Sequence, residues 1–115
     1  MSLDVYLMKV MPTSVFDANI THNLGKMASE VNLSTGHTLY QILWRPDECE
    51  PPFTKSKEIA PLLQEGYEIL INDPDHFKQF NPENGWGSYE GLVEFVKNYR
   101  NACFDIPDAD IEISR

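Results

Sequence analysis

Three short stretches hold the residue types from which a site could be built: "THN" at 21–23, "LWRPDE" at 43–48 and "NPENGWGSYE" at 81–90. In the first, His22 offers an imidazole that can act as a base or a hydrogen-bond donor, with Thr21 and Asn23 adding a hydroxyl and an amide. A surface histidine that helps to cap a helix accounts for the same residues. No Gly-x-Ser-x-Gly, no Cys-His signature and no carboxylate at a telling distance accompanies His22, so catalysis has no support from the sequence.

The second stretch concentrates Trp44, Arg45, Asp47 and Glu48 in six residues. In an acidic chain Arg45 either bridges carboxylates internally or holds an anion by a bidentate contact, and internal pairing is the expectation. In the third stretch Asn84-Gly85 would mark a hairpin if strands flanked it, but both flanks read as helices. Gly85 and Gly87 can instead adopt backbone angles that other residues avoid, with Trp86 projecting between them and Ser88 opening a helix. Trp86 and Tyr89 then form either an aromatic wall beside a helix N-terminus that receives an anion, or a loop in which Trp86 plugs a gap in the core. The plugged core is the simpler reading.

Metal and cofactor chemistry finds less. His22, His37, His76, Cys49 and Cys103 include no pair at a ligand spacing such as H-x3-H or C-x2-C. Neither GxxxxGK[ST] nor GxGxxG occurs, and no cofactor is expected.

The elements that must position these residues follow from periodicity. "LDVYLMKV" predicts a strand at about residues 3–10, ended by Pro12, with two mostly apolar faces that suit cover by helices. Ile20, Leu24, Met27, Ala28 and Val31 fall on one stripe and predict an amphipathic helix capped by Asn19 or Thr21, with His22 pointing away from the stripe. "LYQILWRP" fits a short helix or a short buried strand, and helix is preferred. "DECEPPFTKS" is a loop. A long helix is expected over about 57–71, with Pro61 in its first turn or kinking it, then a short helix "PDHFKQF" presenting Phe77 and Phe80. Tyr89, Leu92, Val93, Val96, Tyr99 and Cys103 mark the clearest helix, with Ser88 as N-cap. "DADIEISR" alternates and reads as a half-buried strand whose best partner is the N-terminal one. The prediction is an α+β fold: one mostly helical domain over 1–115, with a small sheet pairing the N-terminal and C-terminal strands.

Composition bounds the function classes. Hydrophobic residues make up 42% of the 115, which suits one folded domain and leaves no room for two. Nine Lys and Arg against eighteen Asp and Glu give a net charge of -9, which repels nucleic-acid phosphates and anionic lipid surfaces, so neither direct nucleic-acid binding nor membrane association is expected. The opening "MSLDVYLMKVM" lacks a basic n-region and a long apolar run, and Cys49 and Cys103 form no Cys-x-x-Cys pair. A reduced, cytoplasmic protein with free thiols is expected.

Together "ANITHNLGKMASE", "LWRPDE" and "NGWGSYEGLVEFVKNYRNAC", followed by the closing "ISR", resemble a family of small acidic proteins commonly encoded in tailed-bacteriophage genomes and prophages. The resemblance spans most of the chain and is weakest over residues 33–38. It implies a phage accessory protein working in the cytoplasm of a bacterial host, and it brings no activity and no catalytic residue. Its motifs fall on Asn19, His22 and Asn23, on Trp44, Arg45 and Pro46, and on Asn84, Gly85, Trp86, Gly87 and Tyr89. These could converge into one polar, aromatic-lined pocket.

The function expected from these residues is non-enzymatic binding of a small polar or nucleotide-like ligand, or of a host protein. Trp86 would stack, Arg45 would pair with an anion, and His22 with Asn23 would hydrogen-bond. Two rivals stand beside it. One is an acidic inhibitor that imitates nucleic acid towards a host nucleic-acid enzyme through Asp105, Asp108, Asp110 and Glu112. The other is a small hydrolase using His22.

Overall fold

The computed structural model describes residues 2–10, 13–83, 85 and 87–115, apart from the side chains at 10 and 13–15. The predicted stop at Pro12, and Asn84 and Trp86 of the glycine-flanked stretch, lie outside the described residues.

Strand β1, Ser2–Val10, is the centre of an antiparallel sheet with the order β2-β1-β3. Its neighbours are β2, Thr13–Thr21, and β3, Asp110–Ser114. The predicted pairing of the two terminal strands is present: Val5 lies opposite Ile113, and Leu7 opposite Ile111. Leu3, Val5 and Leu7 are buried, whereas Asp4 and Tyr6 on the other face are half-buried. The strand is therefore covered on one face and not on both, because its polar neighbours Asp17, Asn19, Glu112 and Ser114 share the second face and are exposed.

Strand β2 overturns the predicted start of the first helix. Leu3 pairs with Ile20, Val5 with Ala18 and Leu7 with Phe16, so "FDANI" is read with a period of two against a matching strand. Ile20, placed on a helical stripe by its spacing to Leu24, belongs to the sheet. After Thr21 the chain makes a 3-10 turn, His22–Leu24, and then α1, Gly25–Ser29. Thr21 does cap this turn, its hydroxyl accepting from the Asn23 N–H at 3.3 Å. Leu24, Met27, Ala28 and Val31 are buried as their spacing requires.

The ambiguous "LYQILW" is a helix, α2, Leu39–Trp44. Its capping box explains the choice: Gln41 N–H donates to the Thr38 hydroxyl and Thr38 N–H to the Gln41 side chain. Helix α3, Ser56–Asn72, starts one residue before the predicted span and carries Pro61 in its second turn. At its N-terminus the Glu58 carboxylate accepts from the N–H groups of Thr54 and Lys55, at 2.7 and 2.9 Å. Gly66 faces α2 so closely that a Cβ there would lie 2.8 Å from Leu39 Cδ1.

Helix α4, Pro74–Lys78, buries Phe77 and ends before Phe80, which is half-buried in the turn that follows. Helix α5, Tyr89–Asp105, has Ser88 as its N-cap and packs on both α3 and β2. Phe95 joins its predicted buried face, while Val93 is only half-buried. Phe16 of β2 stacks on Tyr99 of α5 at 5.9 Å, which ties the sheet to the helical layer. The result is an α+β fold with a mostly helical layer on one side of a three-stranded sheet.

Both cysteines are free and buried, and burial pushes the Cys103 thiol up to about 12. Among the described residues no helix is long and apolar enough to cross a membrane.

Candidate functional site

His22 and Trp44 meet at the junction of β2 with α2. The Trp44 indole N–H donates to His22 Nδ1 at 3.1 Å, so that nitrogen must present its lone pair and the neutral ring carries its proton on Nε2. Nε2 is buried and has no hydrogen-bond partner among the described residues. An N–H in that position is an unpaired donor withheld from water, which costs about 1–3 kcal/mol. The ring does not point away from the core as the helical reading implied, since a strand and a 3-10 turn aim it differently.

Trp44 is 1% exposed, and Tyr40 stacks on it with centroids 5.3 Å apart. The indole is thus a core element that fixes His22, with no face left for a ligand. Arg45 follows the internal-pairing expectation: its Nε donates to the Tyr40 hydroxyl at 3.3 Å and one terminal nitrogen to Glu48 at 2.8 Å. These contacts raise the Arg45 pKa above its usual value, Tyr40 contributing most. Arg115 completes the cluster by donating to the Trp44 carbonyl at 3.0 Å and to Asp47 at 2.8 Å. The Arg115 contact holds the Asp47 carboxyl below the usual carboxylate range.

From the glycine-flanked stretch, Gly87 packs against the turn that carries His22. Gly87 has φ +105°, and a Cβ there would lie 2.7 Å from Thr21 Cγ2 and 3.0 Å from Leu24 Cγ. Only glycine allows this backbone to press so closely on the "THNL" turn. The first turn of α5, however, is already engaged: the Asn81 side chain accepts from the Tyr89 N–H at 2.8 Å and Ser88 from the Gly91 N–H at 3.1 Å. Tyr89 is 7% exposed and its hydroxyl donates to the Leu70 carbonyl at 2.6 Å, so it braces α5 against α3 and lines no open wall.

Of the predicted site residues, His22 and Trp44 are in contact, and Arg45 adjoins them through Tyr40. Asn19 is exposed on β2 and Asn23 on the 3-10 turn. Tyr89 is buried in the core. Sequence reasoning missed Tyr40 and Arg115. Tyr40 was readable, since it stands four residues before Trp44 on a helix, whereas nothing local marks Arg115, which lies 71 residues from the carbonyl it binds.

The three histidines occupy separate neighbourhoods: His37 contacts Thr35 and Phe53, and His76 contacts Gln79, Phe77 and Phe80. Among the described residues no three His, Cys, Asp or Glu side chains gather as a metal ion would require. Comparisons with protein-family models, with curated proteins and with solved structures find no match for this chain.

Proposed function

We propose that this chain is a non-enzymatic accessory protein of the phage type that binds a small polar or nucleotide-like ligand in the cytoplasm of a bacterial host. The binding surface is the junction where the 3-10 turn bearing His22 and Asn23 meets the glycine-flanked stretch around Trp86. The observation that carries this reading is the approach of Gly87 to Thr21 and Leu24, which sets the two stretches against each other. Asn19 and Asn23 are exposed beside it, and His22 lies behind them with Nε2 buried. Trp44, Arg45 and Tyr89 serve this surface from behind, as supports for His22 and α5.

The hydrolase reading draws little support from the same geometry. His22 Nδ1 is held by an indole N–H where a general base would need a carboxylate, and Nε2 contacts no nucleophile among the described residues. The acidic-inhibitor reading is also weakened, because Asp108 is paired with Lys9 at 3.0 Å and Asp110 with Lys55 at 2.5 Å. Half of the acidic row it requires is already neutralised.

The test is an NMR titration with the common mononucleotides, followed on the wild type and on His22→Ala and Trp86→Ala. Shifts are expected at residues 19–23 and 85–89, and His22→Ala, which removes the side chain that supports the turn, should weaken binding about tenfold. Folded variants that bind every responding nucleotide as the wild type does would remove the site assignment.

A further inference from the structure

The two edges of the sheet are finished differently. On the β3 side, the Ile111 N–H donates to the Thr54 carbonyl at 2.9 Å and Lys55 forms a bridge with Asp110, so the loop before α3 closes that edge. On the β2 side, among the described residues no backbone hydrogen bond joins the outer edge to any other segment. Alternate residues of an edge strand still point their N–H and C=O groups outward, ready to form a ladder. "TSVFDANIT" holds no lysine, arginine or proline; Asp17 is its one charged residue, and the shifts in its register with β1 lie at the hairpin end, between Leu7 and Val10. It is also nine residues long, against five for β3.

From this open edge we propose that β2 is a docking strand, taking up an extended basic segment of a partner protein as a fourth strand. The ladder requires a polypeptide, and the side chains choose which one. On the core face Phe16 and Ala18 remain half-buried where Ile20 is buried, so small or β-branched apolar residues of an added strand would complete their cover. On the open face Asp17 stands beside Tyr6, which has Glu112 on its other side, with Asp4 one pair further along. Among the described residues none of the carboxylates of Asp4, Asp17 and Glu112 is in an ion pair. Lysine or arginine at alternate positions of the incoming strand meets this unpaired charge. A second copy fits less well, because self-pairing about the middle of β2 sets Asp17 against Asp17 and brings together two chains of charge -9.

The test uses wild-type protein and a synthetic peptide of alternating lysine and valine, matched to the nine residues of β2 and blocked at both ends. Two analogues carry N-methyl groups on alternate residues, one in each phase, and a third replaces lysine with glutamate. Fluorescence anisotropy should show saturable binding of the lysine peptide, with amide exchange slowed at residues 16–21 and unchanged in β3. One methylated phase should lose binding and the other keep it, since only one phase faces the edge. The glutamate peptide, or Asp17→Lys in the protein, should bind about tenfold more weakly. His22→Ala and Trp86→Ala should bind the lysine peptide normally, because the ladder is made by the β2 backbone; this distinguishes the two proposals although both reach residues 19–21. No saturable binding, equal binding by both methylated phases, or protection outside β2 overturns the proposal. Dimeric mass with β2 already protected before peptide is added also overturns it, in favour of a second copy.

Discussion

His22 shows how one hydrogen bond can decide what a residue is for. Its imidazole was a candidate base, but the Trp44 indole holds Nδ1 and, among the described residues, the buried Nε2 has no hydrogen-bond partner. The arrangement suits a structural support better than proton transfer, which needs an oriented and reachable partner. Trp44→Phe keeps an aromatic ring in the core while removing the donor. It should cost about 1–3 kcal/mol, from the lost hydrogen bond and the smaller ring together. Urea denaturation of the single variants and of the double variant with His22→Ala checks this: coupling between the two positions is expected, and additivity would mean that the bond contributes nothing.

Among the elements, α3 is fastened at its start by Glu58, whose carboxyl is held below the usual range by hydrogen bonds from the Lys55 and Thr54 N–H groups. A lowered carboxyl contributes stability that is full above its unfolded value of about 4.3 and drains away as pH falls through the lower folded value. Glu58→Gln should therefore flatten part of the acid limb of stability below about pH 4 and leave the slope near neutrality unchanged. Thermal melts at a series of pH values read this directly, and an acid limb as steep as that of the wild type would count against it. The same scale holds the largest departure from the sequence reading. The stripe from Ile20 to Val31 has a helical period, yet its first member pairs with Leu3, because a matched strand offers a full ladder where a helix offers only local bonds.

For the whole molecule, the excess of eighteen acidic over nine basic residues is a standing repulsion that compactness makes worse. The ion pairs that oppose it are mostly exposed, such as Lys26 with Glu30 and Lys78 with Glu90, and such pairs contribute little. Added sodium chloride should accordingly raise the melting temperature as the screening length shortens towards ~10 Å near 0.1 M. Scanning calorimetry across ionic strengths provides the measurement. A falling melting temperature would show that networks such as Arg115 with Asp47 and Glu48 outweigh the net charge.

Much of this protein was legible in its sequence, because the signals involved are local. Ser88 as the cap of α5, the helical face of "SYEGLVEFVKNYRNAC" and the alternation of "DIEIS" each depend on neighbours within a turn or two. The pairing of β1 with β3 was also inferable, since an isolated strand cannot leave its backbone unsatisfied. What only the tertiary structure decided involves partners distant in the chain: the strand character of "FDANI", the indole on His22, the Arg115 clamp and the close seat of Gly87 on Thr21. Spacing along a chain fixes which face a residue shares with its near neighbours, but which distant group will meet that face is set by packing of the whole fold.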